Sequence, residues 1–275
     1  MPELPEVETI RRQLEKEAVG RRIKGVDVRF SGRLNVKPAV LAKALVSSRI
    51  IAARRRAKLL FVDFSSGWTL VLHLKMTGRL LLVPAKTRPG KHDHLVFHLN
   101  GGRDLFFEDV RKFGYQKLIR TEEVEEAIVV AGDYGPEPLE PGFTLARFTG
   151  CLRKFGRKKI KPSLLDQTCL AGIGNIYADE SLWRARIRPE RRVATLGPAE
   201  LKALYAGVRD SLKISIRNRG TSADDYLDLY GKKGTNEAAL KAYGREGLKC
   251  RRCGGLIAKV RLAGRGTHYC PRCQK

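Results

Sequence analysis

The chain opens Met1-Pro2-Glu3-Leu4-Pro5-Glu6-Val7-Glu8, which puts a proline directly behind the initiator methionine and a glutamate directly after it. A small second residue favours removal of Met1, which would leave Pro2 with a free secondary amine beside the Glu3 carboxylate. Such an amine titrates near ~8, so part of it is neutral at physiological pH. The neutral amine can attack an aldehyde-like carbon. The same residues also suit a helix start, since proline fits the first turn and acids favour the positive end of the helix dipole. Taken alone, they read most simply that way.

The second group able to do chemistry is Cys250-x2-Cys253-x16-Cys270-x2-Cys273. Two such knuckles, with Gly254 and Gly255 in the first turn, match a four-thiolate tetrahedral zinc site on a β-hairpin. Four thiolates leave no open coordination position, so the zinc implied is structural. The intervening Lys259, Arg261 and Arg265 put cations on the hairpin. Cys151 and Cys169 stand apart from this set, and nothing in the six cysteines resembles a secreted disulfide framework. A reducing, cytoplasmic setting is expected.

Two weaker signals remain. In Leu170-Ala171-Gly172-Ile173-Gly174-Asn175-Ile176-Tyr177, Asn175 can cap a helix whose free N–H groups form an anion seat. The stretches 73–78 (HLKMTG) and 109–114 (DVRKFG) each set a large apolar residue, Met76 or Phe113, beside a cation and a turn glycine. Core burial is the usual fate of such residues, but Met and Phe also serve as wedges between base steps.

These groups need a frame to position them. Val7, Ile10, Leu14 and Val19 give residues 4–18 a helical face that stops at Gly20. Strand-like runs follow at 23–30, 50–64, 69–74, 79–83, 94–99, 105–108 and 115–119, with a short helix at 38–47 and turns at Ser65-Ser66-Gly67 and Asn100-Gly101-Gly102. This pattern predicts a β-sandwich or flattened barrel behind an N-terminal helix. A Pro- and Gly-rich linker at 134–142 precedes helices expected at 144–154, 163–168, 176–184 and 198–217. Residues 220–234 read as a mobile loop, and 245–275 as the cysteine hairpin.

Composition narrows the partner. Lys and Arg number 54 against 29 acids, giving a net charge of +25. The positives run along the whole chain, so folded basic faces meeting a long polyanion are expected rather than a basic tail. No run of eighteen apolar residues and no signal-like start occurs, so neither a helical membrane span nor a secretory leader is expected.

The motifs together resemble the formamidopyrimidine-DNA glycosylase family of DNA-repair glycosylase/lyases over essentially the whole length. The matching segments are PELPEVET at 2–9, RRRAKLL at 54–60, HLKMTG at 73–78, KHDH at 91–94, DVRKFG at 109–114, GPEPL at 135–139, LLDQ at 164–167, GIGNIYADE at 172–180 and the terminal CPRCQK. The resemblance implies an α+β multidomain fold. It would comprise an N-terminal helix plus β-sandwich (1–133), a linker (134–143), a helical domain with a helix–two-turn–helix motif (144–235) and a zinc-finger hairpin (236–275), with DNA running in a cleft between domains.

The family's roles fall on matching positions here. The resemblance implies Pro2 as the nucleophile that forms a Schiff base, Glu3 as the proton shuttle and Glu6 as a supporting carboxylate. It implies Lys58 as a proton donor in β-elimination, and Arg265 as the residue serving δ-elimination and clamping phosphates. Met76, Arg111 and Phe113 would fill the gap left by a flipped nucleotide, with Arg111 also facing the orphaned cytosine. His92, Lys161 and Asn175 would contact phosphates, helped by an unassigned member of the basic run 153–159. Residues 221–226 would cap the base. Singly, Glu3 and Glu6 read as helix-start acids, Lys58 as a solvated strand lysine and His92 as a turn residue; together at family positions they point to function. The implied partner is damaged double-stranded DNA, with one structural zinc and a monomeric, nucleoid-associated protein. The alternatives are an endonuclease VIII-like enzyme for oxidised pyrimidines and a non-catalytic DNA-binding relative.

Overall fold

A computed structural model describes residues 1–223 and 225–275. The chain forms two compact units, one of residues 1–132 with 219–235 and the other of residues 133–218 with 236–275.

The first unit starts with helix α1 (Leu4–Glu17), which has Pro5 in its first turn and buries Val7, Ile10 and Leu14. Eight strands follow: β1 (Ile23–Val28), β2 (Ile50–Arg56), β3 (Leu59–Phe64), β4 (Trp68–His73), β5 (Gly78–Pro84), β6 (Asp93–Leu99), β7 (Arg103–Asp109) and β8 (Tyr115–Arg120), with α2 (Pro38–Leu45) between β1 and β2. They make two four-stranded sheets, β1-β6-β7-β5 and β2-β3-β4-β8. All neighbouring strands are antiparallel. Leu60, Val62, Leu70 and Leu72 of one sheet share a core with Leu80, Leu95, Phe97 and Phe107 of the other and with Ile10 and Leu14 of α1. Each such side chain, taken from water, contributes roughly 1.5–3 kcal/mol.

The expected run 50–64 is two strands rather than one. Arg56 pairs with Leu59, so Ala57 and Lys58 form a two-residue turn, and Ala57 has the positive φ of 52° that such a turn needs. Alternating polarity could not show this break, because β3 is buried on both faces.

Register collects several loops at one end of this unit. His73 pairs with both Leu59 and Tyr115, Gly78 with Asp109, and Asp93 with Glu108. The 57–58, 74–77 and 110–114 turns and His92 therefore emerge on the same side.

Residues 219–235 were expected to belong with the helices as a mobile loop. They lie instead in the first unit, fastened to α1 and β5. Thr221 N donates to Glu6 Oε1 at 2.8 Å, Leu229 N to Gln13 Oε1 at 2.9 Å, and Leu82 N to the Leu229 carbonyl at 2.8 Å. Of the expected base-capping stretch 221–226, Asp224 lies outside the described residues.

The second unit holds α3 (Leu145–Arg153), α4 (Ile160–Leu165), α5 (Asn175–Ala185), α6 (Pro198–Arg217) and the hairpin β9 (Ala258–Leu262) with β10 (Arg265–Tyr269). Helix α4 begins before Pro162, not after it, since a first-turn residue needs no N–H partner within the helix. Helix α5 is buried from Ile176 to Trp183 and packs on α6. A Cβ on Gly207 would come within 2.9 Å of the Ser181 carbonyl, so glycine is required at that crossing.

Cys151 and Cys169, read as isolated, are joined by a disulfide with Cα atoms 5.5 Å apart. An eighteen-residue separation hides that pairing in the sequence. Among the described residues no helix is long and apolar enough to cross a membrane.

Candidate functional site

In the first unit the chemistry gathers around the start of α1. Pro2, Glu3 and Glu6 are all buried, while Met1 is exposed. Glu6 Oε2 accepts the Glu3 N–H at 2.8 Å, one half of a capping box. Its other oxygen takes the Thr221 N–H, so this one carboxylate ties the N-terminus to the 219–235 segment. Tyr226, packed against Glu6, has its phenol pushed well above its ordinary range, by burial first and by the Glu6 charge next.

One turn further along, Glu8 links α1 to the strand that leads to Lys58. It pairs with Arg11, Arg12 and, at 3.1 Å, with the buried Arg55 of β2. Burial pushes the Glu8 carboxyl up, but the three guanidiniums outweigh it and hold the carboxyl below its usual value. Arg55 also donates to the Ala57 carbonyl at 3.0 Å, inside the turn that carries the buried Lys58. His73 lies within electrostatic reach of Lys58. Burial, then the charges of Lys75 and Lys58, lower its imidazole to about 3, so it stays neutral and accepts the Lys75 N–H on Nδ1 at 3.0 Å.

Met76 and Phe113 are 42% and 44% exposed, so neither is core. Arg111 joins them: its guanidinium donates to Met76 Sδ at 3.3 Å and lies 4.7 Å above the Phe113 ring. Asp109 builds this arrangement and was not singled out from the sequence. Fully buried, it accepts the Thr77 hydroxyl and the Arg111 N–H on one oxygen and the Gly114 N–H on the other at 2.6 Å. The available signal was an Asp five residues ahead of the turn glycine, a local side-chain-to-backbone pattern. His92 is half-buried at the same end, with its carbonyl accepting the Asp109 N–H.

In the second unit Gly174, not Asn175, is the N-cap of α5. Asn175 is the first helical residue, and its amide donates across to the Gly266 carbonyl at 2.9 Å. Arg265 is exposed immediately after the Ala263-Gly264 turn, whose φ values are 47° and 77°. Arg153, Lys154, Arg157, Lys158 and Lys159 are all exposed. Lys161 departs from its expected role as a phosphate contact. It is 1% exposed, and its ammonium faces Asp179 Oδ1 at 2.7 Å, the Gly266 carbonyl at 2.9 Å and Thr267 Oγ1 at 2.9 Å. These partners hold the ammonium inside the unit.

The four sulfurs of Cys250, Cys253, Cys270 and Cys273 lie within 4.8 Å of one another, with Cys250–Cys273 at 3.8 Å and Cys253–Cys270 at 3.4 Å. Sulfurs held ~2.3 Å from one central ion are about 3.8 Å apart, so the set fits a single tetrahedral zinc. Burial opposes ionisation of Cys250, but the Arg252 and Cys253 N–H groups and the Trp183 indole, 3.3 Å away, bring its thiol down to about 6.

Buried Pro2, Glu3 and Glu6 around the start of α1, the exposed Met76, Arg111 and Phe113 group and the four-thiolate hairpin are arranged as in a DNA glycosylase of the helix–two-turn–helix, zinc-finger class. Family models agree along the chain: the formamidopyrimidine-DNA glycosylase N-terminal domain matches residues 1–116, its H2TH domain 134–226, and the zinc finger found in FPG and IleRS 247–275. The chain is 43% identical to the formamidopyrimidine-DNA glycosylase of Pelotomaculum thermopropionicum over 100% of its own length and 99% of the relative's. It is similar to the Lactococcus lactis Fpg in complex with DNA containing an abasic site, with a TM-score of 0.93, 40% identity and 99% of each chain covered. It is likewise similar to MutM in complex with DNA containing carbocyclic 8-oxo-G, with a TM-score of 0.91, 39% identity and 100% of each chain covered. The chain belongs to the formamidopyrimidine-DNA glycosylase family.

Proposed function

We propose that this protein is a bifunctional DNA glycosylase and abasic-site lyase of base excision repair, acting on oxidised purines such as 8-oxoguanine and formamidopyrimidines in duplex DNA. The observation that carries the reading is the buried start of α1, where Pro2 and Glu3 are buried and Glu6 holds the Glu3 N–H. Once Met1 is removed, the Pro2 nitrogen attacks C1′ of the damaged nucleotide and the bond to the base breaks, the base leaving with the bonding pair and taking up the proton that the amine gives up. Glu3 gives a proton to the ring oxygen as the sugar opens, which leaves an imine on Pro2. The imine makes the 2′ proton acidic; its loss expels the 3′ phosphate, and a second elimination expels the 5′ phosphate. Lys58 serves the first elimination and Arg265 the second.

The nucleotide must leave the stack first, at a cost of a few kcal/mol. Met76, Arg111 and Phe113 form one contacting group able to fill the space it vacates. Zinc, when bound by the four cysteines, supplies structure to the hairpin and no step of the reaction. His92, Asn175 and the 153–159 run meet phosphates, and the enzyme works where the cell's DNA lies, in the cytoplasm and nucleoid.

The test is borohydride reduction in the presence of a duplex carrying 8-oxoguanine opposite C. A covalent protein–DNA adduct is expected from Met1-processed protein. Its absence overturns the enzyme reading, and faster cleavage of oxidised pyrimidines overturns the choice of purines.

A further inference from the structure

Asp179 has no role in the scheme above. It lies one helical turn beyond Asn175 on α5 and is fully buried. A buried carboxylate persists only when well paired, and Asp179 has two arms. Oδ1 pairs with Lys161 Nζ at 2.7 Å. Oδ2 accepts the His268 main-chain N–H at 2.9 Å and meets its Nδ1 at 3.3 Å.

The arms converge on one strand. Lys161 passes the connection to the Gly266 carbonyl and Thr267 Oγ1, and Asn175 takes the same Gly266 carbonyl. Residues 266, 267 and 268 are thus each tied to α4 or α5. Arg265 is the exposed residue immediately ahead of them, at the first position of β10 after the turn. On its far edge His268 Nε2 faces Glu246, which also pairs with Lys259 of β9.

We infer that Asp179 is a positioning residue that aims Arg265, acting through Lys161 and the His268 main chain, and that Lys161 is a strut of this device rather than a phosphate contact. The inference rests on the proposed lyase reading in one respect only, the part given to Arg265 in the second elimination. Asp179→Asn keeps the shape and an acceptor for His268 but removes the charge that compensates Lys161. The strand carrying Arg265 is then held less firmly, while no residue of the Pro2 site is changed.

The experiment uses the full chain with zinc bound and a duplex holding a preformed abasic site. Borohydride trapping and the ratio of δ- to β-elimination products are read in single turnover. Asp179→Asn should trap as the parent does, yet yield about tenfold less δ product, the order expected when a reacting group is misplaced by a fraction of an ångström. In an Arg265→Ala background the same change should alter the ratio no further. An unchanged δ-to-β ratio in zinc-loaded Asp179→Asn, or an equal further loss on top of Arg265→Ala, overturns the inference. Should Asp179→Asn not retain zinc, Thr267→Val, which removes a single Lys161 acceptor, decides the matter: a lowered δ-to-β ratio supports the inference and a parental ratio overturns it. Failure of the lyase reading is distinguishable, because the parent itself would then give no adduct.

Discussion

His73 offers a quantitative test of how the first unit responds to acid. Its imidazole, lowered from 6.5 to about 3 by burial and by the charges of Lys75 and Lys58, stays neutral in the folded chain across most of the acid range. In the unfolded chain it protonates below 6.5. The folded state therefore binds fewer protons between those values, and stability falls as pH drops from 6.5 towards 3, by about 1.4 kcal/mol per pH unit. Between neutrality and pH 5 the loss from this one residue is about 2 kcal/mol. The replacement to make is His73→Asn, whose amide oxygen can still accept the Lys75 N–H now taken by Nδ1. Its lost packing on the Tyr115 ring, 5.4 Å away, is a pH-independent cost. Urea unfolding at pH 7.5 and 5.0 separates the two effects. Trp68 on β4 and Trp183 in the other unit are the two tryptophans, so a Trp183→Phe background reports the first unit alone. The parent should lose about 2 kcal/mol more than His73→Asn between the two pH values. His94, lowered chiefly by burial, and His98, raised by Asp27 and Asp104 against its burial, are present in both proteins and cancel in the difference. Parallel losses in parent and variant would refute the argument that His73 is held neutral.

A residue retained ahead of Pro2 makes its nitrogen an amide, so such a protein should bind lesion DNA but give no borohydride adduct; full strand cleavage by it would rule out Pro2 as nucleophile. Asp109→Asn sets an amide N–H₂ or a weaker acceptor against the Gly114 N–H and should cost about 2–3 kcal/mol, much of it confined to the 110–114 turn; duplex-lesion affinity should fall about tenfold or more, while trapping on a single-stranded abasic oligonucleotide stays at the parental level. Stripping zinc with a chelator should unfold the hairpin and abolish duplex binding before it changes the Trp68 signal of the sandwich. Reducing the Cys151–Cys169 disulfide, which closes a loop with a sequence separation of 18, should lower the stability of the second unit by up to about 3 kcal/mol. A Cys151→Ser chain should be insensitive to the reductant, and thiol counting on the parent, denatured and stripped of zinc, should find four free cysteines before reduction.

Features set by near neighbours in sequence were legible beforehand. The four cysteines declare a tetrahedral site through two short spacings, and α1 shows its buried face through Val7, Ile10 and Leu14. The strands emerge where turn residues bracket apolar runs, and the break at Ala57-Lys58 is missed because both neighbouring segments are apolar enough to read as one. What stayed hidden depends on distant partners. The return of 219–235 to the first unit rests on bonds such as Glu6 to Thr221, across 215 positions. The family resemblance gives Lys161 as a phosphate contact; the partners that bury it, Asp179 and Thr267, lie far along the chain. The Asn175 cap was displaced by one residue because a glycine at 174 can take the extended N-cap conformation and leave the asparagine side chain free to reach Gly266.

The residues assigned to meet DNA and those that aim them differ in one physical respect. Met76, Arg111, Phe113 and Arg265 are exposed, and a flexible exposed side chain is a poor instrument unless its backbone is fixed. In each unit the fixing is done by a fully buried aspartate: Asp109 holds the turn that presents Arg111 and Phe113, and Asp179 holds the strand that presents Arg265. A carboxylate suits this task because it accepts several N–H groups at once, and charge-assisted bonds are stronger than neutral ones. Burial also removes competition from water and from the phosphates of the polyanion the surface is built to attract. Substitutions of the two aspartates should therefore act at different stages. Loss of Asp109 disturbs the filling of the gap left by a flipped nucleotide and is felt with duplex but not with single-stranded abasic DNA. Loss of Asp179 disturbs a step after the imine has formed and is felt in the product ratio with either substrate.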